Sequence, residues 1–320
     1  MERLKIAITG ATGFVGANLV TYLRKRNYEV YPMVRKDSNT WRLSHSRNDI
    51  DVSYIDIEDR NNIFKSVRKI KPDVLIHTAS YGVYPYENYR NKIYRTNLNG
   101  TMNVVDAGIA AGVPFIINTG TCSEYGKKDR PMKESDEIHP ETDYATSKSL
   151  ATQYCAFKSN KETKIITLRL FTPYGYYEHR SRLIPYLLYS SINGTKVSLS
   201  SPSNVRDFVF IEDVINAYKL AIINKNKIDT STILNIGYGK QHKLVDLVRI
   251  VSRLSGRNLD VEWTGEKRRP GDGIKMWQAN INKARNIIGW KPMVSLDKGL
   301  MKTSIWIKEN IELYRNSKSR

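Results

Sequence analysis

The chain has 320 residues, of which 40% are hydrophobic and 26% charged, a globular balance that excludes a disordered polymer. No stretch reaches the ~18 apolar residues of a membrane span, and the opening MERLKIAITGATGF lacks the apolar core and cleavage site of a secretory signal, so a cytoplasmic protein with no membrane partner is expected. Lys and Arg number 51 against 32 Asp and Glu, a formal charge of +19 that favours anionic ligands.

That charge is spread along the chain, with only a short basic tail from Arg315 to Arg320, and no nucleic-acid-binding module is present. A solvated basic surface is therefore expected, and no nucleic-acid partner. Two cysteines, Cys122 and Cys155, make no disulfide framework, and five scattered histidines make no metal site, so no metal is expected.

In chain order, Leu4 to Thr9 reads as a strand and Val15 to Lys25 as a helix. Glu29 to Val34 and Val52 to Ile55 read as strands, Ile63 to Ile70 as a helix, and Asp73 to His77 as a strand. Leu98 to Ala111 is helical, Phe115 to Asn118 extended, Tyr144 to Lys158 helical and Ile165 to Leu170 extended. This alternation predicts a parallel sheet with helices on both faces.

After Pro173 the rhythm changes. Helices are expected over Arg182 to Ile192, Leu244 to Leu254, Ile281 to Ile288 and Leu296 to Ile311, with a loop marked by Pro270, Gly271 and Gly273. The expected division is a dinucleotide-binding domain over residues 1–173 and a smaller mixed α/β lobe over 174–320. Returns to the first domain are expected near 205–235, through Phe208 to Ile211 and Ile233 to Ile236.

Between the first strand and the first helix stands Gly10-Ala11-Thr12-Gly13-Phe14-Val15-Gly16. Glycines there permit a tight turn, close approach of a pyrophosphate, and close packing of helix on strand. The helix N-terminus then offers amides and partial positive charge to phosphates. The second strand ends at Val34-Arg35-Lys36, where NAD sites place an acid for the ribose 2′-hydroxyl. Arg35 is instead suited to a 2′-phosphate, which favours NADP(H) and leaves NAD(H) open through Asp37. Asp56 and Ile57 are placed to meet the adenine, and His77 reads as packing.

Tyr144-Ala145-Thr146-Ser147-Lys148 puts a phenol and an ammonium four apart, on one helix face. A nearby positive charge favours the phenolate, which suits proton exchange with a sugar hydroxyl or carbonyl. The fifth strand runs into Asn118-Thr119-Gly120-Thr121-Cys122-Ser123-Glu124-Tyr125-Gly126, where a hydroxyl can hold the reacting oxygen.

Together these pieces resemble an extended short-chain dehydrogenase/reductase of the nucleotide-sugar epimerase and dehydratase family. The resemblance covers nearly the whole chain through TGATGFVG, VLIHTAS, TNLNGT, YATSK, LRLFTPYG, VRDFVFIEDV, LNIGYG and RRPGD. It implies a Rossmann-type doubly wound parallel sheet with a smaller C-terminal mixed α/β substrate lobe. It implies Tyr144 as catalytic acid/base, Lys148 as the residue that binds the nicotinamide ribose and lowers the Tyr144 pKa, and Thr121 as the catalytic hydroxyl. The cofactor set implied is Gly10, Thr12, Gly13, Phe14, Val15, Gly16, Arg35, Asp56, Ile57, Ala79, Ser80, Asn97, Tyr144, Lys148 and Pro173. The substrate set is Tyr81, Thr121, Tyr144, Thr172, Arg206 and Arg269, the two arginines on the diphosphate, with Arg180 and Arg182 as looser candidates and Lys196 to Leu199 near the base. A nucleotide-diphosphate sugar is the implied substrate, and a homodimer through the YxxxK helix the implied assembly.

Many 4,6-dehydratases carry an Asp-Glu pair directly after the catalytic Thr, where this chain has Cys122 and Ser123. Glu124 is one residue out of register with the acid of the GDP-mannose dehydratases. Reduction of a nucleotide-linked 4-keto-6-deoxyhexose is therefore the first expectation, and 4-epimerisation through a transient keto sugar with bound NAD the alternative. A dehydratase and a non-catalytic nucleotide-binding protein rank below these.

Overall fold

The computed structural model describes residues 3–43, 52–84, 86–265 and 273–316. Arg269 and the rest of RRPGD, together with residues 317–320 of the basic tail, lie outside the described residues. Among those described, seven strands form one parallel sheet: β1 (Lys5–Thr9), β2 (Glu29–Val34), β3 (Ser53–Tyr54), β4 (Val74–His77), β5 (Phe115–Thr121), β6 (Lys164–Leu170) and β10 (Ile233–Ile236). Their spatial order is β10-β6-β5-β4-β1-β2-β3, so the chain direction across the sheet reverses between β1 and β4. That reversal opens a crevice at the carboxyl ends of the strands, where ligands bind in doubly wound sheets.

Strands buried on both faces read as apolar runs. In β1, Ile6 and Ile8 enter one core while Ala7 enters the other. The core containing Ala7 lies under α2 (Arg60–Ile70), α4 (Gly100–Ala110) and α5 (Asp143–Lys158). The opposite core takes in α1 (Phe14–Arg24) and α7 (Ile211–Ile223) and continues into the second lobe.

Two boundaries depart from the sequence expectation. The helix expected from Leu98 begins at Arg90, as α3 (Arg90–Tyr94), a π turn over Arg95–Asn99, and then α4. A π turn breaks the 3.6-residue period by which a helix is read. The Phe208–Ile211 segment does not return to the large sheet. Strand β9 (Val205–Phe210) instead pairs with β7 (Thr172–Tyr174) and β11 (Gln241–Lys243), and Ile211 begins α7. Strand β10, by contrast, pairs in parallel with β6, so the large sheet is completed by residues from well beyond residue 173.

The second lobe adds α6 (Leu183–Asn193), β8 (Val197–Leu199), α8 (Leu244–Ser255), β12 (Val261–Trp263), α9 (Asn282–Ile288), α10 (Leu296–Glu309) and α11 (Ile311–Asn316). One buried carboxylate joins three of its segments. Asp207 on β9 accepts from the amides of Tyr238 at 2.7 Å, Gly239 at 3.0 Å and Ala279 at 2.9 Å. In Asp207→Ala these three donors lose their partner. The variant is expected to lose at least ~3 kcal/mol, read as a lower midpoint of thermal unfolding, and an unchanged midpoint would contradict this role.

Candidate active site

At the end of β1, Gly10 adopts φ +66, and a Cβ there would lie 2.5 Å from the amide nitrogen of Ala79. The ends of β1 and β4 can approach this closely only without a side chain. A Cβ on Gly16 would meet the carbonyl oxygen of Gly10, which seats α1 directly on the turn. The Gly13 amide closes the loop onto Gly10 O at 2.9 Å, and Thr78 Oγ1 donates to Thr9 O at 2.7 Å. Helices α2 and α5 are capped by the side chains of Asp59 and Thr142. Helix α1 has Gly13 at its N-cap and no side-chain cap, so the amides of its first turn, from Phe14 through Gly16, stay open to an anion.

Past β2, the two residues weighed for the ribose are paired with each other: Arg35 Nε lies 3.5 Å from Asp37 Oδ1, both exposed. Asp56 is exposed and receives the Glu58 amide at 2.9 Å, while Ile57 is buried against Gly100. Asn97, named in the expected cofactor set, has internal partners. It is fully buried, accepts from the Tyr81 amide at 2.8 Å, and donates to Tyr81 O at 2.8 Å and Ser147 Oγ at 3.0 Å. It ties the loop after β4 to α5, a positioning role.

On α5 the Tyr144 phenol and the Lys148 ammonium lie one turn apart, as their spacing requires. Lys148 is 2% exposed and makes no hydrogen bond or ion pair among the described residues. Burial lowers its pKa. The Tyr144 pKa is not lowered, as the sequence reading expected, but raised. Burial is the largest cause and Cys122 adds to it, while the Thr121 hydroxyl and the Arg182 guanidinium pull it down.

Thr121, the last residue of β5, caps the short 3-10 turn Cys122–Tyr125. Glu124 Oε1 accepts from the Thr121 amide at 2.8 Å, and Glu124 Oε2 lies 2.9 Å from Arg169 Nε on β6. Both side chains of this pair are within 4% of full burial. The Arg169 guanidinium sits 4.6 Å over the Tyr125 ring, and the Tyr125 hydroxyl donates to Asn235 on β10 at 2.7 Å. Glu124 is thus engaged in holding β5 to β6. His77 is packing, as read: its ring bridges Thr9 and Thr101, and burial pushes its pKa down to about 3. Burial pushes the Cys122 thiol up to about 12, which makes it a poor nucleophile.

On the substrate side, Thr172 and Pro173 are half-buried on β7, in register with Phe208 and Val209. Arg206 on β9 stands 5.6 Å over the Trp277 ring. Tyr81 carries the Lys92 ammonium 4.8 Å over its ring. Sequence reading missed Arg42, which donates to Tyr177 O at 2.7 Å and Thr12 O at 3.2 Å and so fastens the glycine turn to the second lobe. It also missed Glu178, buried beside Arg182. Neither lies in a periodic or motif-like stretch, and only the fold brings them near the turn and the phenol.

A buried ammonium with no hydrogen bond or ion pair among the described residues and an uncapped helix N-terminus at the strand reversal fit a dinucleotide, the first through ribose hydroxyls and the second through phosphates.

A model of the NAD dependent epimerase/dehydratase family matches residues 6–237. The chain is 26% identical over 310 residues to a UDP-glucose 4-epimerase of Lactobacillus helveticus, covering 90% of this chain and 92% of that one. It is 26% identical over 312 residues to a dTDP-4-dehydro-6-deoxyglucose reductase of Escherichia coli, covering 93% and 95%. The solved structure of UDP-glucuronic acid 4-epimerase from Bacillus cereus, in complex with UDP-glucuronic acid and NAD, superimposes with a TM-score of 0.85 at 26% identity, over 96% of this chain and all of that one.

Glu124→Gln removes the charge opposite a buried guanidinium. It is expected to cost ~3–5 kcal/mol of stability, measured by denaturant unfolding. A variant as stable as the parent would show that this carboxylate is not a structural partner of Arg169.

Proposed function

The chain belongs to the NAD dependent epimerase/dehydratase family, enzymes of the extended short-chain dehydrogenase/reductase type, and we propose that it reduces the 4-keto group of a nucleotide-diphosphate 4-keto-6-deoxyhexose with NADPH. The observation that carries this reading is a proton-transfer pair, Tyr144 and Thr121, beside positions that lack elimination chemistry. Cys122 is a packed thiol and Glu124 is held by Arg169, so neither of these positions offers a carboxylate ready to remove water across a neighbouring bond. What these residues serve is exchange of one proton on one oxygen.

A bound nicotinamide supplies the hydride. Thr121 holds the substrate oxygen by its hydroxyl. Tyr144 gives its phenolic proton to that oxygen as the carbonyl becomes an alcohol. Lys148 takes the ribose hydroxyls, and its charge then favours the phenolate left behind. Arg206 and Arg269 meet the diphosphate, a task suited to forked guanidinium donors.

The choice of NADP(H) rests on Arg35. Its exposed pair with Asp37 is worth ~0–1 kcal/mol, so a 2′-phosphate displaces the carboxylate at little cost. The same pair supports a second reading, 4-epimerisation with retained NAD, because Asp37 at this strand end can accept from ribose hydroxyls. Leu150 and Phe157, exposed on one face of α5 at 38% and 81%, support a homodimer through that helix. No helix among the described residues is long and apolar enough to cross a membrane.

Incubation with a nucleotide 4-keto-6-deoxyhexose is expected to consume NADPH, followed as loss of reduced-nicotinamide absorbance. Turnover of a UDP-hexose without added cofactor would instead select the epimerase. Tyr144→Phe is expected to fold, to bind cofactor and to lose ~10²–10⁴ in turnover; wild-type rates in that variant would remove the phenol from the mechanism. Arg35→Asp is expected to move preference from NADP toward NAD, and unchanged discrimination would reject the role given to Arg35.

A further inference from the structure

The connection between β4 and α3 is built around one carboxylate that the reaction above leaves unused. Glu87 Oε2 accepts from three successive amides, those of Gly82 at 3.0 Å, Val83 at 2.9 Å and Tyr84 at 3.2 Å. The Glu87 amide in turn donates to Tyr84 O at 2.9 Å and closes the turn in the other direction. Residues Gly82 to Tyr84 belong to no strand or helix, so their amides have no ladder to enter. A carboxylate placed where several N–H dipoles converge makes hydrogen bonds of the stronger, charge-assisted kind. The amide just before them, that of Tyr81, goes to Asn97 Oδ1 at 2.8 Å. Four amides in a row are thus committed to two side chains.

What the carboxylate gathers lies against the phenol. Gly82 has φ +98, and a Cβ there would lie 3.0 Å from Ile93 Cγ1 on α3 and 3.4 Å from Tyr144 Cδ2 on α5. The backbone is wedged between these two side chains in a conformation that favours glycine. At the other end of the turn, the Tyr84 ring stacks on Tyr86, with centroids 5.3 Å apart and planes within 3°, and His179 of the second lobe meets Tyr84 edge-on at 5.2 Å. The turn therefore walls the Tyr144 ring on one side and reaches the second lobe on the other.

We propose that Glu87 is a positioning residue for the sugar side of the site: its carboxylate draws in the Gly82–Tyr84 amides and so fixes the turn against the Tyr144 ring before substrate arrives. The inference rests on the reading of Tyr144 as proton donor to a sugar oxygen and adds to it the group that shapes the wall beside that donor. Without the carboxylate, substrate binding would have to order three backbone units that the free protein already holds, and that ordering would weaken affinity.

The test compares the parent with Glu87→Ala by three readouts. Hydrogen exchange of the Gly82, Val83 and Tyr84 amides is expected to quicken ~10-fold. The resonance of 3-fluorotyrosine placed at position 144 is expected to move, because the wall beside the ring has loosened. The KM for a nucleotide 4-keto-6-deoxyhexose is expected to rise ~10-fold while the Kd for NADPH stays at the parent value. Glu87→Gln, which keeps one acceptor oxygen without the charge, is expected to fall between parent and Ala. Glu87→Ser supplies the same comparison if the Ala variant does not fold. Parental exchange of the three amides overturns the proposal, as does faster exchange with an unmoved fluorine resonance. A loss of NADPH affinity as large as the rise in KM also overturns it, since that marks general damage to the fold. The exchange and fluorine readouts need no turnover, so they decide the role of Glu87 even if every nucleotide sugar tried proves inert.

Discussion

A carboxylate and a guanidinium closed off from water between β5 and β6 set the geometry of the cleft. Taking two such charges out of water costs several kcal/mol apiece before their attraction returns it, so Glu124 and Arg169 are poorly explained as a source of stability alone. Their positions show what else they accomplish. Glu124 receives the Thr121 amide, which ends β5 in a tight turn and leaves the Thr121 hydroxyl facing the phenol on α5. Arg169 covers Tyr125, whose hydroxyl reaches Asn235 on β10. One ion pair thus fixes the angle of the Thr121 hydroxyl and docks the last strand of the large sheet.

That pair also bears on the choice among reactions of the family. An acid held by a guanidinium and a backbone amide has no oxygen ready for chemistry, whatever its distance in sequence from Thr121. The register of Glu124, one position away from a dehydratase pattern, left the matter open. The direction in which the carboxylate points argues against elimination.

The order of strands and helices, the glycine turn and the Tyr-Lys helix were legible in the sequence because each is a local pattern: alternation, periodicity, or fixed spacing on one element. What was not legible depends on who faces whom. Asn97 reads as a polar residue near a cofactor until the fold shows both ends of its amide bound to Tyr81 and Ser147. Arg35 reads as an available cation until Asp37 is seen beside it. The Tyr144 phenol was expected to be acidified by Lys148, because spacing conveys proximity on a helix face but not the loss of solvent, and burial outweighs the charges around it. Arg42 comes from the connection after β2 and Glu178 from the one between β7 and α6, and both acquire meaning only where the lobes meet.

The docking of β10 on β6 has a bearing on how the protein can be dissected. The chain leaves the large sheet after β6, builds much of the second lobe, and comes back to supply the seventh strand. A fragment cut at residue 173 would not be a self-sufficient nucleotide-binding module. It would present β6 as a bare flank of unpaired amides and carbonyls, an invitation to intermolecular strand addition and insoluble aggregates.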